Sequence, residues 1–345
     1  MTRAPIGRRP TMADVATRAG VSVALVSIVM RDVPGASAAT RERVMRTAGE
    51  LGYRPDSRAR LLRSTNSRLL GVVFGVEQDF HGDLLTGLYG AAAELDHQIT
   101  LSAVTTSRDE RAAVNDLLDD RCAAIIWLGP ESPRAYLAEI AARTPVVAVT
   151  RPVRHQRVDV VRTADDQGLQ QAVDHLVEWG HRRITHVDGG RRAGAAQRRR
   201  GYLEAMHRHG LDAFVAVVPG GPEEDDGAAA AGALLAGELP TAVAVFNDRC
   251  ATGVLEVLRN SGVGVPGDVS VVGFDDSRLA RLSFVNLTTV AQDVTVLSRL
   301  AVERAIARSQ GVQVQPREQV IPPRLVVRQT SGPVPVRWGP ALGSA

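Results

Sequence analysis

At 345 residues the chain exceeds one small domain, and at roughly 100–200 residues per domain it should hold two or three. Aromatic residues make up only 4%, so its cores must be built from Val, Leu, Ala and Ile, which suits α/β layers. The net charge of +3 hides an asymmetry: thirteen arginines face five acidic residues in 1–68, a net of +8, which leaves −5 for 69–345. The basic end is therefore the nucleic-acid candidate. Lysine is absent, and arginine spread over the whole chain reads as compositional bias more than selection at one site. Cys122 and Cys250 are too far apart for a metal knuckle or a disulfide framework. No apolar h-region opens the chain and no run approaches the twenty or so apolar residues of a membrane span, so a soluble, cytoplasmic protein is expected.

In chain order, residues 1–10 carry two prolines and three arginines and read as an arm. Met12 to Arg31, MADVATRAGVSVALVSIVMR, then reads as two helices joined by a tight turn. Thr11 and Asp14 suit the first helix start. Ala16 is small where the helices meet, Gly20 can take the positive φ of a sharp turn, and Val26 packs across the angle. Ser22 caps the second helix, which turns Val23, Ala24, Ser27, Ile28 and Arg31 outward. That is the helix-turn-helix pattern, whose second helix enters the major groove. Asp32, Pro34 and Gly35 break it, Ser37 caps a third helix on which Val44, Ala48 and Leu51 face the first two, and Gly52 ends that helix. After Tyr53-Arg54-Pro55, Asp56 can cap a helix of about two turns, too short to stand alone in water.

From Leu69 the texture changes to strand, turn, helix. LLGVVFGV, ITLSAVTT, CAAIIWLG and PVVAVTR alternate with helical stretches, and a second series follows Asp165 with RRITHVDGG, AFVAVVP, TAVAVFND and VSVVGFDD. Two doubly wound, parallel-sheet series in tandem imply two lobes whose strand ends face one cleft. Asn247 and Asp275 at those strand ends could bind a ligand or could cap the helices that follow, and Arg198 could enter the cleft or be a solvated charge. His175, His181 and His186, or His207 and His209, lack metal-ligand spacing and read as surface or capping histidines. Gly189, Gly190 and Gly194 do not make a nucleotide loop, and neither a GxSxG nor a Walker motif occurs. No enzyme, metal site or cofactor is expected.

TMADVATRAGVSVALVSIVM with SAATRERV, LGYRPDSRARLL and the core over about residues 11–332 resembles the LacI/GalR family of bacterial transcription regulators. The resemblance implies an all-α helix-turn-helix headpiece over 1–63 with a hinge helix at about 56–63. It also implies an α/β, two-lobed, periplasmic-binding-protein-like core over 69–332. Its N-lobe would hold 69–163 and 292–324, and its C-lobe 164–291 and 325–332. The Pro-rich tail, 333–345, reads as disordered.

Homodimers of such a chain bind palindromic operator DNA under allosteric control by a small, sugar-like effector. The implied DNA contacts are Met12, Ser22, Val23, Ala24, Leu25, Ser27, Ile28, Arg31, Ser37, Thr40, Tyr53, Asp56, Arg60 and Leu62. Leu62 would be a minor-groove wedge beside the small Ala59. Val23, Ala24 and Ile28 would read thymine methyls, while Ser27, Arg31, Thr40 and Tyr53 fix the backbone. The implied effector contacts are Phe80, His81, Arg151, Arg198, Asn247, Asp248, Asp275 and Gln292. Gln78-Asp79 in place of Asn-Pro, His81 in place of a second ring, and Thr150 in place of an acid point away from a common hexose. A transporter's solute-binding protein shares the core, but the headpiece argues against that reading.

Overall fold

The computed structural model describes residues 10–30, 32–53 and 67–335, and its chain divides into units 1–67 and 68–345. In the first unit, α1 (Met12–Ala19), α2 (Val23–Met30) and α3 (Ala38–Leu51) are each started and stopped by local chemistry. Thr11 and Asp14 form a reciprocal capping box: the Thr11 hydroxyl accepts from the Asp14 N–H at 3.3 Å, and the Thr11 N–H donates to the Asp14 carboxylate at 2.7 Å. Gly20 ends α1 at φ 64°, ψ 40°, where its own N–H closes the last turn. α2 then leaves at 107°, its start held by a 3.2 Å bond from the Leu25 N–H to the Ser22 hydroxyl. Ser37 caps α3. Val15, Ala16, Ala19, Val26, Val29, Val44 and Ala48 fill the centre.

The second unit contains two six-stranded sheets. The first runs β11 (Glu318–Ile321), β5 (Val158–Thr163), β4 (Val146–Val149), β3 (Ala124–Leu128), β1 (Leu69–Gly75), β2 (Gln98–Val104), all parallel. The second runs β12 (Arg324–Val326), β10 (Thr288–Ala291), β9 (Ser270–Asp275), β8 (Ala242–Val245), β6 (Ile184–Val187), β7 (Ala216–Val218), with β12 alone antiparallel. The first sheet is served by α4 (Asp79–Glu94), α5 (Glu110–Asp119), α6 (Arg134–Ala141) and the late α11 (Val294–Ser309). The second has α7 (Asp165–Glu178), α8 (Ala195–Arg208), α9 (Glu224–Ala236) and α10 (Asp248–Asn260).

The chain passes between sheets after β5, after β10 and after β11. α9 and α10 approach so closely that a Cβ on Gly227 would stand 1.9 Å from the Cys250 carbonyl oxygen, so glycine there is a packing requirement. Among the described residues no single helix is long and apolar enough to cross a membrane.

Two expectations need correction. Residues 333–335 are held: the Val334 N–H donates to the Trp179 carbonyl at 2.9 Å, and its side chain fills the space above Gly180. A proline-rich segment can dock when an open helix end offers a carbonyl acceptor. Residues 336–345 lie outside the described set.

Of the histidines read as surface or capping groups, His207 and His209 are exposed, but three are buried ties. His175 meets the Ser331 hydroxyl at 2.9 Å, His181 the Gly332 carbonyl at 3.0 Å and His186 the Ala244 carbonyl at 2.9 Å. Burial pushes His186 down to about 4. Being neutral in the fold yet protonatable in the unfolded chain, it contributes stability that is present above pH 6.5 and lost as pH falls towards 4. Urea melts of His186→Phe should therefore show an acid limb shallower by up to about 1.4 kcal/mol per pH unit than the parent's. An unchanged slope would mean that the imidazole is charged in the fold.

Candidate functional site

Within the second unit the strand ends enclose a cleft of about 470 Å³. Its floor is organised by Arg198 on α8, 5% exposed. The guanidinium donates through Nε to Asp165 at 2.9 Å and through Nη1 to the Phe246 carbonyl at 2.6 Å, and Nη2 meets Asp275 at 3.4 Å. Its carbon lies 3.6 Å above the Phe274 ring centre and 4.8 Å from that of Phe246. The solvated-charge alternative is excluded: this is a cation fixed by three acceptors and two rings.

Asp275 sits at φ 113° and Asp276 at φ 52°, conformations that cost non-glycine residues energy and re-aim the chain at the end of β9. The Asp275 carboxylate also accepts from Gln292 Nε2 at 2.7 Å, while Gln292 Oε1 accepts the Thr163 hydroxyl at 2.5 Å. Two crossover segments are thus wired to one acid. Burial pushes the Asp275 carboxyl up, against the pull of Arg198 and Gln292. Asp165 is raised by burial against Arg198, and Asp248 by burial and by the charge of Asp275.

The cleft brings together Phe80, His81, Arg198, Asn247, Asp275 and Gln292. His81 is buried, and its Nδ1 lies 3.1 Å from the Gly75 nitrogen and 3.3 Å from the Gly75 carbonyl oxygen; burial pushes its pKa down to about 4. Asn247 reaches the wall but acts as a cap: its Oδ1 accepts the Cys250 N–H at 2.8 Å and its Nδ2 donates to the Pro222 carbonyl at 3.1 Å.

Two predicted contacts fall elsewhere. Asp248 is 1% exposed and turned behind the wall, accepting from the Ser277 N–H at 2.7 Å and the Thr289 hydroxyl at 2.5 Å. These bonds hold it against β10 and the segment after β9, and of the two neighbours Asn247 lines the cleft. Arg151 does not line the cleft, and its guanidinium donates to the Pro130 carbonyl, because Thr150 at φ 69° turns the chain aside.

Sequence reasoning missed Asp165, which looks like first-turn helix acid, and the rings of Phe246 and Phe274. It also missed Glu110, whose carboxylate accepts from Trp127 Nε1 at 3.1 Å and from the Glu131 and Ser132 N–H groups at 2.8 and 2.7 Å, fixing the rim loop. Arg192 and Glu131 pair across the cleft at 2.7 Å, Arg278 meets Asp83 at 3.2 Å, and Arg249 donates to the Glu77 carbonyl at 2.6 Å. These ties join one lobe to the other.

In the first unit Ser22, Val23 and Ala24 are exposed at the start of α2, with Leu25 and Ser27 half-buried. Val23 is 47% exposed. Ile28 is less free than the helical pattern predicts, since the space above Gly35 is filled by its Cγ2 and Cδ1. Met12 and Tyr53 pack against the three-helix core, and Ser37 and Thr40 lie 2.9 Å apart through their hydroxyls. Arg41, which the pattern did not single out, pairs with Asp32 at 2.6 Å and donates to the Val33 carbonyl at 3.0 Å, fixing the loop after α2. Arg31, Asp56, Ala59, Arg60 and Leu62 lie outside the described residues.

Residues 11–56 match the model for bacterial regulatory proteins of the lacI family, and residues 173–331 match the periplasmic binding protein-like domain. GalR of Salmonella typhimurium is 34% identical over 93% of this chain and 95% of its own length, and the lactose operon repressor of Escherichia coli is 32% identical over 93% and 90%. A LacI transcriptional regulator from a Rhodococcus species superposes with TM-score 0.76 at 48% identity, over 77% of this chain and 99% of that one. The lac repressor dimer bound to operator and an anti-inducer gives 0.81 at 28%, over 94% and 100%. The regulator CelR in complex with cellobiose gives 0.69 at 28%, also over 94% and 100%. A lacI-type headpiece joined to a two-sheet core, with full-length relatives above 30% identity, makes this chain a member of the LacI/GalR family of transcriptional regulators.

Proposed function

We infer that the chain is a cytoplasmic homodimeric repressor whose grip on a two-fold operator is set by a neutral, sugar-like effector in the cleft. The observation that carries the effector half is Asp275: a carboxylate held at a strained φ, bonded to Arg198 and Gln292, and open to a cleft that Phe80 and Phe246 also line. Acceptors and amides at the edge of an apolar face suit the hydroxyls and the C–H face of a sugar. Sugar binding by the similar CelR supports this reading. Effector binding would shift the lobe ties and change operator affinity by roughly 5 to 150-fold for a coupling of about 1–3 kcal/mol.

On the DNA side, the exposure of Val23 and Ala24 supports a reading in which they meet thymine methyls, with the half-buried Ile28 beside them. Binding-site selection with the full chain should return a palindrome, and Val23→Arg should shift one symmetric position towards guanine. Selection of asymmetric or random sequence would sink the reading.

A further inference from the structure

We propose that the edge of the first sheet holds a second, cationic ligand site, separate from the cleft, that takes a small molecule bearing multiple phosphate charges. The site is an open hollow of about 870 Å³ between α6 and the β5/β11 edge, with Ala138, Val158 and Val160 as its apolar floor. Four arginines line it: Arg134 at the start of α6, Arg154 and Arg157 on the segment leading into β5, and Arg317 just before β11.

What marks the group is that four guanidiniums gather at one hollow with none of them in a salt bridge among the described residues. Several other core arginines do meet carboxylates: Arg162 meets Glu318 at 2.6 Å, Arg208 meets Asp174 at 2.7 Å and Arg299 meets Glu303 at 3.0 Å. Among the described residues no carboxylate lies within 4 Å of the guanidinium of Arg134, Arg154, Arg157 or Arg317. The one acidic lining residue, Glu318, is taken by Arg162. Buried Asp159 is shared by Arg304 at 3.5 Å and Arg308 at 3.9 Å and also feels the charge of Arg317, so one carboxylate faces three guanidiniums. Arg317 Nη1 is buried with no hydrogen-bond partner.

Like charges gathered in excess of the carboxylates near them repel one another, and a concave surface concentrates their field. A donor buried and unpaired is costly unless an acceptor arrives. Guanidinium forks match phosphate oxygens two at a time, and the apolar floor leaves room for the rest of a ligand. The hollow has the size of small-molecule pockets, roughly 300–1,000 Å³. In a parallel sheet, the residues just before β5 and β11 lie at the end opposite to the one that feeds the cleft. Arg157 and Arg317 are thus kept from the cleft, whereas Arg134 follows the cleft-lining Ser132 by two residues.

The test is calorimetric titration of the full chain with inorganic pyrophosphate at low and high salt, beside Arg154→Ala, Arg317→Ala and, on the other sheet, Arg324→Ala. Each variant's fold is checked by its thermal melt. Saturable binding is expected, weakened by salt and reduced about tenfold or more by either hollow variant but not by Arg324→Ala. Non-saturable uptake, or equal affinity in all variants, overturns the proposal. So does a pair of hollow variants that lower the salt dependence of DNA binding while the parent takes no pyrophosphate, because that result assigns the arginines to DNA phosphates.

Discussion

Arg198→Met should destabilise the core by about 3–5 kcal/mol near neutral pH and abolish the response to effector. Methionine keeps the apolar stem between Phe246 and Phe274 but removes the cation, leaving Asp165 and Asp275, 3% and 12% exposed at their side chains, buried together with only the Gln292 amide on Asp275. Both carboxyls are already raised by burial. Without the cation they rise further, so the loss should shrink as pH falls and the fold takes up protons that the unfolded chain would not yet bind. Urea melts at neutral and mildly acidic pH check the sign. Asp165→Asn in the same background should recover part of the loss, giving a non-additive double-mutant cycle. Arg198→Lys should rescue poorly, because an ammonium cannot serve Asp165, the Phe246 carbonyl and Asp275 from one plane. A variant as stable as the parent would show that the three acceptors do not depend on Arg198.

The difference between what the residues announced and what they concealed follows from the range of the interactions. Caps and turns are local: Thr11 with Asp14, Ser37 with Thr40 and the positive φ of Gly20 and Gly52 depend on neighbours three or four positions away, so they could be read directly. Apolar strand runs such as AIIWL and AVAV were equally legible, because strands buried on both faces are continuously apolar. β5, VDVVRT, was missed because Asp159 and Arg162 interrupt its apolar run, and Asp159 is bonded from α11, 145 residues later, by Arg304. The cleft shows the same limit. Arg198 and Asp275 were found by their place in the motif, but Asp165 was indistinguishable from a helix-starting acid until the fold placed it 2.9 Å from Arg198. Arg151 and Asp248 fall off the cleft wall because one backbone turn at Thr150, or one step along a helix, decides which wall a side chain faces.

In the first unit, Val26→Asp should abolish sequence-specific DNA binding, by at least about a hundredfold, while leaving the melt of the core and its effector binding unchanged. Val26 is fully buried at the meeting of α1, α2 and α3, in a core of seven small and medium aliphatic side chains. A domain that small has little stability to lose. Val26→Ala removes two buried methyl groups, roughly 1.6 kcal/mol at about 0.8 per carbon before any cavity cost. An unpaired carboxylate in the same place costs several kcal/mol more and should unfold the unit. The informative partner is Val23→Asp, one helical turn away but 47% exposed. It should leave the headpiece folded by amide exchange and still lose DNA, because a carboxylate would face the phosphates and the thymine methyls. Loss of binding in both variants, with loss of fold only in Val26→Asp, separates the residue that builds the reading helix from the one that uses it. Operator binding that survived both would remove α2 from the DNA and leave recognition to residues outside it.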